Sequence, residues 1–279
     1  MLITAGIVTS VVLAPSRQPP EPQLDGQPLS YYLDRQTYGE LRTERDARES
    51  LRDFGTNAVP YLIYILDARE SRFRRWFREL LQSQSWIRVR MTPLHLSQTQ
   101  AAMACQELGP IALPTIPSLT RFVDDPILAA PALSALATIS PATFSILTNA
   151  LLSGIPPARI EAAGVLRYTL PSALPLPALS QALRDPVPAV RANAASSLGF
   201  LGSSPETVVP ALIACLDDPD SNVRASAVQG LGWLKHHAKP AIPKLLVLQR
   251  AEEGSSFGQK ITEALNSIQA TLPEASGVE

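Results

Sequence analysis

Residues 183–201, LRDPVPAVRANAASSLGFL, and residues 216–234, LDDPDSNVRASAVQGLGWL, are two copies of one pattern. Aligned at an offset of 33 residues, the two copies have the same residue at ten positions. Self-similarity at a fixed spacing of about 20 to 50 residues is the signature of a repeat protein, in which each copy forms one structural unit. The sequence therefore predicts that these segments fold alike and stack on each other.

Each copy has the pattern of a helix that follows an Asp-Pro pair. The aspartate can cap free backbone N–H groups, and proline is tolerated in a first helical turn. The apolar residues that follow lie on one helical face, at intervals of four, four and three: Val190, Ala194, Leu198 and Leu201. We call this first helix helix A; a second helix, helix B, is predicted to start at a proline in three copies, at Pro177, Pro210 and Pro243. The repeat unit is therefore predicted to be two antiparallel helices.

Weaker copies of the pattern extend the repeat in both directions. The predicted fold is all-α, an α-solenoid of about six antiparallel helix pairs over residues 29–272, and residues 257–268 are predicted to form a C-terminal capping helix. Residues 273–279 are predicted to be a flexible tail. Aromatic residues make up only 6% of the chain, which also favours helix-on-helix packing of small aliphatic side chains.

The order Asp-Pro, Val-Arg, Ala and Leu-Gly-x-Leu-Gly, followed by a proline-marked helix B, resembles the HEAT-repeat family in its phycobilisome-lyase-like subgroup. This resemblance implies that acids and arginines of successive repeats form a ladder along the inner edge, with a structural role: Asp185, Arg191, Asp218 and Arg224. The ladder is predicted to be incomplete, because no aspartate precedes Arg159 at the matching position and no arginine follows Asp125. We therefore expect an irregular superhelix.

The N-terminus has two distinct parts. Residues 1–14 contain no charged side chain but are too short to cross a hydrocarbon core of about 30 Å, so they are interpreted as a degenerate export signal or anchor, or as a hydrophobic tail. Residues 15–28 contain five prolines and are predicted to be a stiff linker. Residues 26–33 and 54–60 resemble bacterial HEAT-repeat proteins with an N-terminal anchor. We expect a bacterial chain in the cell envelope or associated with the membrane, or alternatively in the cytoplasm.

Few residues of the types that carry chemistry are present. The chain has three histidines, and the adjacent pair His236 and His237 would point about 100° apart on a helix, so we predict no shared metal ion. Cys105 and Cys215 are predicted to be core thiols. The phosphate-binding and nucleophile motifs of common enzymes do not occur. The prediction is a protein that is not an enzyme, with no catalytic residue, cofactor or metal.

An insertion over residues 67–98 combines arginines with aromatic residues. The aromatic residues are predicted to pack on the neighbouring helix pair. The exposed side is a candidate patch for an anionic membrane surface, a protein partner or nucleic acid, formed by Arg72, Arg74, Arg75, Arg78, Arg88, Arg90 and Trp76. The net charge of −1 and pI of about 6.3 argue against a dedicated nucleic-acid binder.

The predicted function is a non-enzymatic protein–protein interaction scaffold that binds a protein or peptide on the concave surface of the solenoid. Two alternatives have relatives among HEAT-like proteins: a nucleic-acid-binding or DNA-repair glycosylase-like protein, and a chromophore-lyase-like protein. A scaffold predicts an open concave face, whereas an enzyme predicts a pocket with convergent polar groups.

Overall fold

The computed structural model describes residues 18–38, 41–69, 93–168 and 175–270. The chain divides into two compact units, residues 1–118 and residues 119–279. The elements of each unit are numbered below in chain order.

The first unit begins with a short hairpin and continues with helices. Strands β1 (Gln23–Leu24) and β2 (Gln27–Pro28) pair antiparallel. The helices are α1 (Leu29–Tyr38), α2 (Leu41–Phe54), α3 (Val59–Asp67), α4 (Leu94–Leu108) and α5 (Ile116–Thr120), within which the unit ends. Two 3-10 segments, Gly55–Ala58 and Gly109–Thr115, precede α3 and α5.

The hairpin corrects the predicted linker over residues 15–28. Asp25 and Gly26 have φ angles of 49° and 73°, and two left-handed residues in a row reverse the chain tightly. The hairpin is fixed to the first helix, since the hydroxyl of Tyr32 donates to the carbonyl of Leu24 at 3.1 Å and the N–H of Ser30 donates to the carboxylate of Glu21 at 2.7 Å. The Asp-Gly pair is a known signal for a hairpin turn. The many neighbouring prolines favoured a linker instead, and the turn was therefore not predicted.

The boundaries of the predicted insertion also change. Helix α4 begins at Leu94, so residues 94–98 belong to the repeat and not to the insertion over 67–98. Gln98 is buried, and its amide donates to the carbonyls of Leu66 and Ala68 at 3.1 Å each. These two carbonyls lie at the end of α3, where helix carbonyls lack partners within the helix. Gln98 therefore joins α4 to the end of α3.

The second unit contains a regular series of helices. Its A helices are α6 (Ala129–Ile139), α8 (Pro156–Val165), α10 (Pro188–Leu201), α12 (Ser221–Leu234) and α14 (Ser256–Gln269). Its B helices are α7 (Phe144–Ser153), α9 (Leu176–Ala182), α11 (Pro205–Cys215) and α13 (Ile242–Ala251). Three 3-10 segments join them: Pro141–Thr143, Leu166–Tyr168 and Lys235–Ala241.

Each A helix of the second unit packs against the A helix of the next repeat, and α14 packs on α12 and α13. Among the described residues, α2 to α13 form six consecutive pairs, and α14 follows them. The predicted all-α solenoid is therefore confirmed.

The helix starts differ in detail from the predictions. The carboxylate of Asp185 accepts the N–H of Val187 at 2.8 Å, and the helix begins only at Pro188. The Asp-Pro pair therefore forms the turn before helix A and is not its first turn. In the last full repeat Asp220 is the N-cap, because its carboxylate accepts two N–H groups of α12. Pro210 lies inside α11, which starts five residues earlier, so it does not mark the start of that B helix.

Glycines allow the A helices to approach closely. A Cβ atom on Gly199 would lie 2.2 Å from the Cα atom of Gly230, so α10 and α12 are in contact through their backbones. Gly232, which occupies the Gly199 position of the next repeat, meets Ala264 of α14 with a Cβ-to-Cα distance of 3.3 Å. The repeated Leu-Gly pair is thus a packing feature of the A layer.

Several predictions concern residues outside the described ranges. These are the hydrophobic segment 1–14, the tail 273–279 and most of the insertion over 67–98. Among the described helices, none is both long enough and apolar enough to span a bilayer.

Candidate partner-binding face

On the A helices of the second unit, side chains along one face are partly or fully exposed. On α10 this face has Asn193, Ser196 and Phe200, and on α12 it has Ser226, Gln229 and Trp233; each of these residues is partly or fully exposed. The spacing of three and four residues places them on one side of each helix. Equivalent positions in the repeats on either side are Glu161, Gly164, Tyr168, Lys260, Glu263 and Ser267. We call this surface the A face.

Three aromatic side chains form a continuous stripe across the A face. The ring centroids of Tyr168 and Phe200 are 5.9 Å apart, those of Phe200 and Trp233 are 5.8 Å apart, and both contacts are edge-to-face. The three residues are 59%, 52% and 40% exposed, respectively. A buried leucine lies close to each ring in the sequence. Residues that close together point to different sides of a helix, so the burial of the leucines leaves the rings facing solvent. We call this set the aromatic stripe.

One arginine lies against the aromatic stripe. The guanidinium carbon of Arg167 is 4.8 Å from the ring centroid of Tyr168 and 5.7 Å from that of Phe200. Its Nη1 donates to the hydroxyl of Ser196 at 3.3 Å, whereas its Nε is buried and has no hydrogen-bond partner among the described residues. The rings therefore hold a cation whose donors are incompletely used.

An open groove of about 390 Å³ lies between α12 and α14 at the end of the stripe. Trp233 forms part of its wall, and the polar side chains of Asn222, Ser226 and Gln229 line it from α12. These three residues and Trp233 follow one another at intervals of four, three and four, along one side of the helix. The groove thus combines an aromatic wall with amide and hydroxyl groups.

Ion pairs connect the turns before successive A helices. Arg191 donates through Nε and Nη2 to the two carboxylate oxygens of Asp218, at 2.8 Å each. Arg159 binds Asp185 in the same way, at 2.8 and 3.2 Å. Each arginine thus binds the aspartate of the following repeat, so Arg159 takes part although no aspartate precedes it.

The series of ion pairs ends at Arg224. Its Nη1 donates to the carbonyls of Asp218 and Pro219 at 2.9 and 3.0 Å, and its guanidinium carbon lies 5.9 Å from the ring centroid of Phe257. The turn before α14 has no Asp-Pro pair, so an aromatic ring takes the place of the carboxylate. Of the four residues predicted for the ladder, the structure joins Arg191 to Asp218, while Asp185 and Arg224 have other partners.

The environment of the Arg191–Asp218 pair shifts both pKa values. The hydrogen bonds from Arg191 lower the pKa of the Asp218 carboxyl below its ordinary value, and burial opposes this effect. The hydrogen bond with Asp218 raises the pKa of Arg191 further. The two side chains are only 13% and 12% exposed. The pair is therefore a charged contact that is mostly shielded from water.

The histidine pair differs from its prediction. Helix α12 ends at Leu234, and Lys235 has a φ angle of 52°, so His236 and His237 lie on the following 3-10 segment. Their ring centroids are nevertheless 3.9 Å apart, with the ring planes tilted by 38°. Among the described residues, no group of three histidine, cysteine or acidic side chains is arranged to hold a metal ion.

Both cysteines are buried and free. Burial raises the pKa of the Cys105 thiol to about 12, and burial also raises the pKa of Cys215. A thiol with a raised pKa is a poor nucleophile at neutral pH.

All seven residues of the candidate arginine patch lie outside the described ranges: Arg72, Arg74, Arg75, Trp76, Arg78, Arg88 and Arg90. The aromatic stripe, by contrast, was missed by the sequence analysis. A signal for it exists, since Phe200 and Trp233 occupy the same position of two copies, between the repeated Gly and Leu, and Tyr168 lies 32 residues earlier.

The chain is similar to several known structures. No curated protein sequence matches the chain significantly. Among solved structures, the chain is similar to the complex of CpcE and CpcF of phycocyanin lyase from Nostoc sp. PCC7120, with 19% identity and a TM-score of 0.44 over 92% of this chain and 99% of that chain. A designed armadillo repeat protein has 15% identity and a TM-score of 0.45, over 75% of this chain and 99% of that chain.

The karyopherin Kap121p, bound to the extreme C-terminus of the protein phosphatase Cdc14p, has 16% identity and a TM-score of 0.54. The match covers 86% of this chain and 29% of the karyopherin chain. At this identity the similarity to the karyopherin concerns the fold alone.

The family model for HEAT repeats matches residues 144–232 and, in a second alignment, residues 176–266. The matched segments cover α7 to α13 and most of α14, including both copies of the pattern that first indicated a repeat. Residues 144–266 are therefore HEAT repeats.

Proposed function

We propose that this chain is a non-enzymatic protein–protein interaction scaffold, and that a protein or peptide partner binds the A face of its second unit. The observation that carries this proposal is the aromatic stripe. Three neighbouring aromatic rings that are each at least two-fifths exposed form an apolar surface, and such contiguous surfaces on soluble proteins commonly mark interaction sites. Tyrosine and tryptophan are also among the residues that contribute most to binding energy at protein interfaces.

The packing of the second unit supports the A face as its concave side. In a curved stack, the layer whose helices are closer together lies on the inside. The direct backbone contact between Gly199 and Gly230 belongs to the A layer. The groove beside Trp233 is open, as expected for a surface that accepts a polypeptide.

The fold is compatible with this function, since Kap121p has a similar fold and binds the extreme C-terminus of a protein phosphatase. The alternative functions would require other features. A glycosylase-like or chromophore-lyase-like activity needs convergent polar groups in an enclosed site, and binding of nucleic acid would rely on the arginines of the insertion. No observation on the described residues favours either alternative over the scaffold.

Affinity capture with matched variants tests the proposal. The full chain is immobilised and exposed to an extract of its source cell, with and without nuclease, and the retained molecules are identified. The test variant is Phe200→Ser with Trp233→Ser, which removes two exposed rings of the stripe. The control variant is Leu246→Ser with Val247→Ser, which changes two exposed apolar residues on the B helix α13.

The expected result is a protein that the wild type and the control variant retain in stoichiometric amount, and that the stripe variant does not retain. The proposal is overturned if all three chains retain the same proteins equally, or if nuclease treatment abolishes retention. Thermal unfolding of the variants establishes that any loss arises from the surface and not from misfolding.

A further inference from the structure

The charge beside the aromatic stripe indicates which chemistry the partner must supply. The arginines of the neighbouring turns have acceptors: Arg159 and Arg191 each bind an aspartate with two hydrogen bonds, and Arg224 binds two carbonyls. Arg167 differs, because among the described residues no carboxylate lies within ion-pair distance of it. Its one hydrogen bond to a described side chain, to Ser196, is long at 3.3 Å.

The rings of Tyr168 and Phe200 lie 4.8 and 5.7 Å from the guanidinium carbon of Arg167 and restrict the movement of its side chain. A planar guanidinium has two edges with paired N–H donors that match the two oxygens of a carboxylate. Because the Nε of Arg167 is buried, a carboxylate from a second molecule would meet the edge formed by the two Nη groups. Because rotation of the side chain is already restricted, little rotamer entropy is lost when a carboxylate binds. Arg167 is thus arranged to accept an acidic group from a second molecule.

The other charges of the A face do not serve this role. Glu161 on α8 accepts a hydrogen bond from the hydroxyl of Ser134. Lys260 and Glu263 are one turn apart on α14 and have opposite charges, so they leave that end of the face close to neutral. The hydroxyl of Ser134 does not neutralise Glu161, so the described part of the face has one further charge of each sign, and Arg167 is the positive one.

The polar side chains at the other end of the stripe favour an extended segment. The side chains of Asn222, Ser226 and Gln229 have no hydrogen-bond partner among the described residues, and all three line the groove beside Trp233. An extended polypeptide carries unpaired backbone N–H and carbonyl groups, which amides and hydroxyls can bind. A helix has already paired these groups within itself, so it would gain less from this groove.

We propose that the partner binds through an extended peptide segment in which an acidic side chain pairs with Arg167 and apolar side chains pack on the aromatic stripe. This inference rests on the proposed function and specifies its ligand. The rings of Tyr168 and Trp233 are both in contact with Phe200, so their centroids are at most about 12 Å apart, a distance bridged by about three to four extended residues. The acidic residue and the residue over Trp233 are therefore separated by about three or four positions.

Selection of peptides tests this inference. The probe is a phage-displayed library of random ten-residue peptides, selected on the immobilised full chain. The expected result is enrichment of sequences that carry an aspartate or glutamate at a fixed distance from apolar residues. Selected peptides are then synthesised, and their affinity is measured for the wild type and for each variant.

Substitutions on both partners isolate the proposed ion pair. Arg167→Gln and a Glu-to-Gln change in the peptide are each expected to weaken binding about tenfold, and the two changes together are expected to weaken it no further. Arg184→Gln, which removes an exposed arginine of the same unit outside the A face, is the matched control and is expected to leave the affinity unchanged.

The outcomes separate this inference from the proposed function. If selected peptides require Phe200 and Trp233 but bind equally well to Arg167→Gln, the acidic-peptide inference is wrong while the scaffold at the A face stands. If no enriched peptide depends on Phe200 and Trp233, the assignment of the A face as the binding site fails as well. Unchanged thermal unfolding of Arg167→Gln excludes a folding defect as the cause of weaker binding.

Discussion

Arg191 and Asp218 form two hydrogen bonds of 2.8 Å across the boundary between two repeats, and both side chains are mostly shielded from water. Because the arginine belongs to one repeat and the aspartate to the next, the pair couples units that are otherwise joined by apolar packing. In a solenoid each repeat contacts only its neighbours, so the stability of such contacts determines how cooperatively the repeats fold. This gives the pair a structural role that can be measured.

Replacing Asp218 by alanine is expected to lower the free energy of unfolding by about 3 kcal/mol, because it leaves a largely buried guanidinium without its partner. The measurement is hydrogen exchange of the amides of α10 and α12, which reports local opening at this boundary. Asp217→Ala is the matched control: its ion pair with Lys244 is on the surface, so its loss is expected to change stability by less than about 1 kcal/mol. Equal effects of the two substitutions would contradict the structural role of the buried pair.

The same pair predicts a dependence of stability on pH. The pKa of Asp218 is lower in the folded chain than its ordinary value of 3.8, so the folded state favours the ionised form. This contribution to stability is fully present above pH of about 4 and is lost as the pH falls through the folded pKa. We expect the difference in urea midpoint between the wild type and Asp218→Asn to be constant near neutral pH and to shrink in acid. A difference in urea midpoint that grows as the pH falls would contradict a lowered pKa of Asp218 in the folded chain.

Glycine-to-alanine substitutions in the A layer are expected to have opposite effects at two positions. Gly199→Ala places a methyl group 2.2 Å from a backbone atom of the adjacent helix, and we expect a loss of about 3 kcal/mol because backbone cannot yield easily. Gly164→Ala meets only the side-chain amide of Asn193, at 3.5 Å, and we expect a gain of about 0.5 to 1 kcal/mol from helix propensity. Thermal unfolding of both variants measures this difference. A Gly199→Ala variant as stable as the wild type would contradict the close backbone packing of α10 and α12.

Cys105 is expected to resist alkylation in the folded chain. Burial raises its pKa to about 12, so at mildly alkaline pH almost none of it is the reactive thiolate, and reagents have no access to it. Mass spectrometry after treatment with iodoacetamide should find Cys105 unmodified in buffer and modified in concentrated urea. Labelling of Cys105 in buffer at the rate of a free thiol would mean that α4 opens readily.

The helical period and the spacing of 33 residues predicted much of the fold. Val190, Ala194 and Leu198 are fully buried on one side of α10, as their spacing indicates. The Leu-Gly pairs were also recognisable in the sequence. Only the structure explains why glycine is needed there, which is the close contact of α10 with α12. Turns were predicted less well, because Asp-Pro was assigned to the first helical turn although it forms the turn before it.

The candidate site was less accessible from the sequence. Phe200 and Trp233 occupy the same position of the repeat but are different residues. The repeat pattern is defined by identical residues, so it did not indicate these two as part of a site. Arg167 has no equivalent arginine in the next two repeats, which have Gly199 and Gly232 at that position. Its location close to the rings of Tyr168 and Phe200 depends on how the 3-10 segment 166–168 follows α8.

The sequence by itself determined that the chain consists of repeated helix pairs, because hydrophobic periodicity and the recurrence of whole motifs are local properties that can be read along the chain. Only the tertiary structure decided which repeats each ion pair connects, as Arg159 with Asp185 shows, and which residues of successive helices meet on one exposed face. Those relationships join residues about 26 to 33 positions apart, and their distances depend on the spacing and rotation of packed helices, which glycine contacts such as that of Gly199 with Gly230 set.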